Sequence, residues 1–142
     1  MRTSPRPRSQ PLRAFRERGA AAVELAIVFP LLFLVIAGIV DFGRAYFTQI
    51  QVTNAAREGA RAAVVMVPNA DVITRATNAA AGVPSITASV VASCTTGATS
   101  DASVKVQASF QWILLGPAMA VIGKSFGGGN VISSTGVMRC GG

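Results

Sequence analysis

From Ala20 to Val40 the chain is apolar apart from one charged residue, Glu24. A helix needs ~20 such residues to cross a bilayer, so residues 20–40 predict a transmembrane segment. Pro30 falls inside it, where it removes one hydrogen bond and tends to kink or loosen the helix. Asp41 and Arg44 mark the exit. The helical pattern continues without proline to Met66. Phe42, Tyr46, Gln49 or Ile50, Thr53, Ala56, Ala60 and Val64 recur at steps of three or four, an amphipathic stripe. Arg57, Glu58 and Arg61 fall off that stripe, with Glu58 and Arg61 at helical neighbour spacing. The reading is one helix from about Ala20 to about Val65, with 41–67 as the amphipathic continuation. Pro68 and Asn69 end it. A short second helix is predicted over Asp71–Ala81, started by Asn69 or Asp71 and closed by Gly82 with Pro84 beyond.

After Pro84 the period changes to two. Val104, Val106, Ala108, Phe110 and Trp112 alternate with Ser103, Lys105, Gln107, Ser109 and Gln111, which predicts a half-buried strand over 103–112. Ser85–Cys94 alternates less strictly, with Ile86, Ala88, Val90, Ala92 and Cys94 on one face. Asn130–Cys140 offers a third strand, with Ile132, Met138 and Cys140 sharing a face. Between the last two, Gly116 to Ile122 reads as a short helix or an apolar loop, and Gly127–Asn130 as a flexible turn. The predicted class is α+β: a long N-terminal, partly transmembrane helix packed on a small antiparallel sheet of about three strands. Residues 68–142 form the small α+β domain.

Charge adds a direction. Residues 1–19 hold six arginines (Arg2, Arg6, Arg8, Arg13, Arg16 and Arg18) and one glutamate, whereas residues 20–142 hold seven basic and five acidic residues. The high isoelectric point is thus mostly a property of a basic leader, 1–19, whose residues 1–18, with Pro5, Pro7 and Pro11 among the arginines, read as disordered. A basic protein invites a nucleic-acid reading. Here the arginines are confined to one tail abutting an apolar span. The positive-inside rule accounts for that better, with the leader cytoplasmic and the C-terminal domain exported. No nucleic-acid partner is expected.

The chain has no histidine and two cysteines, Cys94 and Cys140. That is too few ligands for a zinc site. In an exported domain the pair reads as one disulfide, with two buried free thiols as the alternative. No nucleophile, base and orienting group can be assembled. Gly123-Lys124-Ser125 lacks the upstream glycine of a P-loop, position 118 being alanine. No enzymatic activity, cofactor or metal is expected.

Glu24 carries the strongest functional signal. A carboxylate in hydrocarbon costs roughly 2.5–3.5 kcal/mol on insertion scales, so it calls for a partner or a role. In an assembly of packed N-terminal helices it can meet the free α-amino group of a neighbour, each charge stabilising the other. A glutamate snorkelling at the membrane edge is the plainer alternative. Gly19 stands five residues before it, after a basic leader. That spacing resembles the type IV prepilin arrangement, in which a prepilin peptidase cuts after the glycine. A conventional secretory signal fits worse, because the apolar run exceeds the usual 7–15 residues and Ala37–Asp41 is a poor cleavage site.

Residues 17–25 (Glu-Arg-Gly-Ala-Ala-Ala-Val-Glu-Leu) and Val28-Phe29-Pro30-Leu31-Leu32 resemble the TadE-like pilus-assembly proteins. So do Asp41-Phe42-Gly43-Arg44-Ala45 and Asn54-Ala55-Ala56-Arg57-Glu58-Gly59-Ala60-Arg61. The resemblance implies a pseudopilin or minor pilin of the bacterial Tad (Flp) type IV pilus system, which serves surface attachment. It also implies cleavage between Gly19 and Ala20. The implied partners are a prepilin peptidase, other Tad pilins and pseudopilins, the assembly machinery and the membrane. Major Flp pilins often carry an aromatic after the glutamate, where this chain has Leu25, and end soon after the helix. Both departures favour the minor class. In the 54–61 motif, Asn54, Arg57, Glu58 and Arg61 could meet a partner helix, or the small residues could pack on the sheet with the charges solvated. The alternative function is an uncleaved single-span protein whose exported domain binds other envelope proteins.

Overall fold

A computed structural model describes residues 13–96, 100–121, 123–124 and 130–141. Leader residues 1–12 and the turn at 127–129 lie outside the described residues. The elements in order are α1 (Arg13–Val64), α2 (Asn69–Ala79), β1 (Ile86–Ala92), β2 (Asp101–Phe110), α3 (Leu115–Val121) and β3 (Asn130–Arg139). The protein is α+β, a long apolar helix packed on a three-stranded antiparallel sheet. Packing divides the chain into two units, one ending at Ile36 and one beginning at Ala37.

In its described part the first unit is helix alone. The helix begins at Arg13, earlier than the expected start at Ala20, so residues 13–18 of the leader are helical where composition implies disorder. The last leader proline is Pro11, and nothing in Arg13–Arg18 breaks a helix once that proline is passed. Val23, Leu25, Ile27, Phe29 and Leu31 are all exposed. A helix that is apolar all round and finds almost no cover for that surface among the described residues suits a nonaqueous surround. Among the described residues, one helix is long and apolar enough to cross a membrane.

The second unit is built on the sheet, in the order β1-β2-β3 with both pairs antiparallel. β2 is central and follows the predicted alternation. Ala102, Val104, Val106, Ala108 and Phe110 are buried, and the intervening residues are partly or fully exposed. The strand is shifted two residues towards the N-terminus of the predicted span, leaving Trp112 beyond its end. In β1 the register slips between Val90 and Ala92. A bulge adds one unpaired residue, so Ala92 leaves the inward face that simple alternation assigns it. In β3, Ile132, Ser134 and Gly136 face inward, whereas Met138, expected with them, is exposed.

The helix face that meets the sheet is not the one its large side chains predict. Ala37, Asp41, Val52, Ala55, Ala56, Ala60, Ala62 and Ala63 are buried, while Phe42, Tyr46 and Ile50 are exposed. The reason is close approach. A Cβ placed on Gly136 of β3 would overlap the main-chain carbonyl of Ala56 and come within 2.9 Å of the Arg57 nitrogen. A Cβ on Gly59 would come within 2.9 Å of Val104 Cγ1 and 3.0 Å of Ala76 Cβ. Backbones this near leave room only for small side chains, so the core is almost wholly alanine and valine.

Two turns position α2 against this core. Met66, in the left-handed region (φ 57°), turns the chain out of α1. Pro68, not Asn69 or Asp71, takes the N-cap position of α2, and its carbonyl accepts the Asp71 and Val72 amides at 2.9 and 3.1 Å. A proline carbonyl can begin the helical ladder without a side-chain cap, while Asp71 in the first turn favours the helix dipole. Gly82, at φ 104°, reverses the chain towards β1.

Candidate functional site

Gly19, Ala20 and Glu24 all lie in α1 and are exposed. Nothing lies within 4 Å of a Cβ built on Gly19. The Gly19–Ala20 bond is therefore accessible but helical, and a peptidase that needs extended chain must unwind it. The glycine lowers that cost, since it disfavours helix by about 1 kcal/mol relative to alanine. Glu24 shares an open depression with Ala21, Leu25 and Val28. Among the described side chains it has no ion-pair or hydrogen-bond partner.

In the 54–61 motif the sequence left two readings open, and the second unit separates their parts. Ala55, Ala56, Gly59 and Ala60 are buried beneath the sheet and α2, so the small residues serve the chain's own packing. Asn54, Arg57, Glu58 and Arg61 are exposed. Asn54 and Arg57 border a depression of about 240 Å³ with Gln49, Ile50 and Thr53. The charged positions thus remain available to a partner.

Cys94 and Cys140 are joined as a disulfide with a Cα–Cα distance of 5.6 Å. The two half-cystines tie the segment after β1 to the end of β3. Next to them the Cys140 amide donates to the Ser100 carbonyl at 2.9 Å, which continues the β2–β3 pairing by one bond.

Asp41, read from the sequence only as a marker of the end of the apolar span, has a structural role that reading missed. It is wholly buried. Its Oδ2 accepts the backbone amides of Leu114 at 2.9 Å and Leu115 at 2.8 Å, and its Oδ1 accepts Arg44 Nη1 at 3.2 Å. Burial pushes its carboxyl up, but the amide donors of Leu115, Leu114 and Ile113 and the Arg44 guanidinium outweigh that. The net effect holds it below its ordinary value. Around it, Trp112 packs edge-on against Phe42 and Phe110, with ring centroids 5.2 and 5.1 Å apart. The Arg44 guanidinium lies 5.3 Å from the Phe110 ring centroid. Only the helical continuation past Asp41 and the aromatics near position 112 hinted at this cluster.

The neighbouring groove, about 310 Å³, is bordered by Arg44, Thr48, Ser85 and Gln111 among others, with Arg44 its one charged residue among those described. It offers a cation and hydroxyls but no acid–base pair. The first unit presents an exposed apolar helix with one open carboxylate, and the second is a small domain closed by a disulfide. No curated protein and no solved structure matches the chain. Residues 19–61, which hold Gly19, Glu24, Asp41 and the 54–61 motif, match the family of TadE-like proteins.

Proposed function

We propose that this protein is a TadE-like pseudopilin or minor pilin that takes part in assembling a Tad (Flp) type IV pilus for surface attachment. A prepilin peptidase removes the leader between Gly19 and Ala20. The mature helix is held in the cytoplasmic membrane with its N-terminus at the cytoplasmic face and its C-terminal domain exported. Other Tad pilins and pseudopilins are its assembly partners.

The observation that carries this reading is the family match, which begins at Gly19 itself and runs through Arg61. Glu24 supports it independently, being an exposed carboxylate in an apolar helix with no partner among the described side chains. Such a group is satisfied by a charge from another molecule, and cleavage at Gly19 creates a suitable one, the new α-amino group.

The test is the N-terminus of the protein recovered from membranes of its native host. Mass spectrometry should find Ala20 as the first residue, and Gly19→Asp should leave the leader attached. An intact leader in cells with an active peptidase would sink the proposal and favour the uncleaved single-span alternative.

A further inference from the structure

Residues 111–123 carry no charge, although the described ones among them belong to the second, folded unit. The segment contains α3, and much of its apolar surface is not used by the core. Ile113 is 57% exposed and Val121 is 87% exposed. Its position is fixed at two points. The Asp41 carboxylate holds the amides of Leu114 and Leu115, and Trp112 packs on Phe42. Both anchors, Asp41 and Phe42, directly follow Val40, the last residue of the expected span. On the next turn of α1, Tyr46 and Phe47 are 71% and 62% exposed.

The scale of a bilayer gives this placement meaning. At 1.5 Å per helical residue, Phe47 lies about 10 Å beyond Val40 along the axis. The headgroup layer on each side of a bilayer is roughly 5–8 Å thick. Helical side chains also lean towards the helix N-terminus, here back towards the membrane. By the 3.6-residue period, Tyr46 and Phe47 point roughly 120–140° away from Asp41. The Tyr46 and Phe47 rings therefore lie on other sides of α1 from Asp41's contact with the start of α3, within about two helical turns of it. Trp and Tyr favour that layer because their rings are amphipathic. Lys124, just after the uncharged segment, is suited to lipid phosphates while its stem stays among apolar groups.

We infer that segment 111–121, together with Phe42, Tyr46 and Phe47, seats in the interfacial layer of the phospholipid bilayer, so that the exported domain rests on lipid. This rests on the reading that residues 20–40 span the membrane. Lipid is the occupant because these residues adjoin the end of the span in sequence, and whatever adjoins that end meets headgroups first. The contact adds a second hold on the membrane beside the span.

Trp112 is the only tryptophan in the chain and reports on the site directly. The full chain is reconstituted in phosphatidylcholine vesicles brominated either near the head of the acyl chains or near their ends. Trp112 emission should be blue-shifted and quenched about 2-fold by the shallow bromines, and less by the deep ones. Ile113→Asp combined with Val121→Asp should abolish most of that quenching. A second protein, Phe33→Trp with Trp112→Phe, reports on the span and should be quenched by the deep bromines. If Phe33→Trp is quenched while Trp112 is untouched by either lipid, the span stands and the inference is overturned. Trp112 emission that shifts with protein concentration but not with bromines would overturn it too, placing a second copy there. Quenching at Trp112 unaltered by the paired aspartates would equally refute it. If Phe33→Trp escapes quenching, the span reading fails and the inference falls with it.

Discussion

Asp41 Oδ2 and the backbone N–H of Leu115 meet at 2.8 Å across 74 residues of sequence. A buried carboxylate at the end of the apolar span thereby supplies an acceptor to the start of α3, whose first amides have no partner within their own helix. Together with the Leu114 amide and Arg44, three donors converge on one side chain. The charge is kept out of water and still satisfied, which makes Asp41 the joint between α1 and the loop that follows β2.

Removing that charge should loosen α3 before anything else. Asp41→Asn keeps the size and one oxygen for the Leu114 and Leu115 amides, but it removes the charge and turns an NH2 donor towards Arg44 Nη1. The loss of charge-assisted bonds costs about 2 kcal/mol, roughly a 30-fold change in an opening equilibrium. Hydrogen exchange at Leu114 and Leu115 should accelerate by about that factor, while amides in the middle of β2 change little. Protonation should act in the same direction. The folded carboxyl titrates below its ordinary value, so its contribution is complete above the unfolded value of about 3.9 and is lost as pH falls through the folded one. Protection of α3 should therefore be flat in this residue's contribution from pH 5 to 8 and decline below about pH 4. Equal exchange rates in the variant and the parent would rule out the joint.

The three glycines Gly136, Gly59 and Gly43 should rank in order of how much space surrounds them. Alanine at 136 would strike the Ala56 carbonyl, which is main chain and cannot rotate away. Overpacking of this kind costs about 3 kcal/mol, enough to lower Tm by more than roughly 10 °C in a domain of this size. Alanine at 59 meets the Val104 and Ala76 side chains at 2.9 and 3.0 Å and should cost less. Nothing lies within 4 Å of a Cβ on Gly43, so Gly43→Ala should be neutral or stabilising by up to about 1 kcal/mol. Thermal unfolding of the three variants in detergent checks the order. A harmless Gly136→Ala would contradict the close helix–sheet approach.

The Cys94–Cys140 bond closes 46 residues of sequence separation. The chain-entropy model gives about 4 kcal/mol for a loop of that length, a large share of a small domain's margin. Peptide mapping of exported protein without reductant should recover the cross-link. Single Cys→Ser variants should expose β3 to protease first, because the bond holds the end of that strand. Two thiols that alkylate freely in native protein would show the pair to be unlinked.

The strands were legible because a half-buried sheet writes its alternation directly into the chain. Ala102 to Phe110 alternate in burial as Val104, Val106 and Ala108 predict. The register of β1 was not legible, since a bulge near Val91 depends on what β2 presents opposite it. The inward face of α1 was misread for a physical reason. Large apolar side chains usually mark the core, but here Gly136 brings the sheet so near the helix that only Ala55, Ala56 and Gly59 fit between them. Phe42 and Tyr46 are displaced to the outer face. Asp41 was invisible as a structural residue because its partners are backbone amides 73 and 74 positions away, and backbone donors leave no mark on sequence.

Glu24→Gln separates membrane insertion from assembly. The substitution keeps size and polarity and removes the charge, so the cost of placing that position in hydrocarbon falls from about 2.5–3.5 kcal/mol. Insertion should be unchanged or improved, which carbonate extraction of membranes would read. Cleavage at Gly19 should persist, because the altered side chain lies more than a helical turn away. What should fall is the attraction to a neighbour's α-amino group, since a neutral amide forfeits the ion pair that stabilises both charged forms. Piliation and surface attachment should therefore drop, although normal amounts of cleaved, inserted protein are present. Glu24→Asp, which keeps the charge on a shorter stem, should retain more of that function than Glu24→Gln. Full piliation in Glu24→Gln would count against an assembly role and leave Glu24 as a carboxylate that simply reaches the membrane edge.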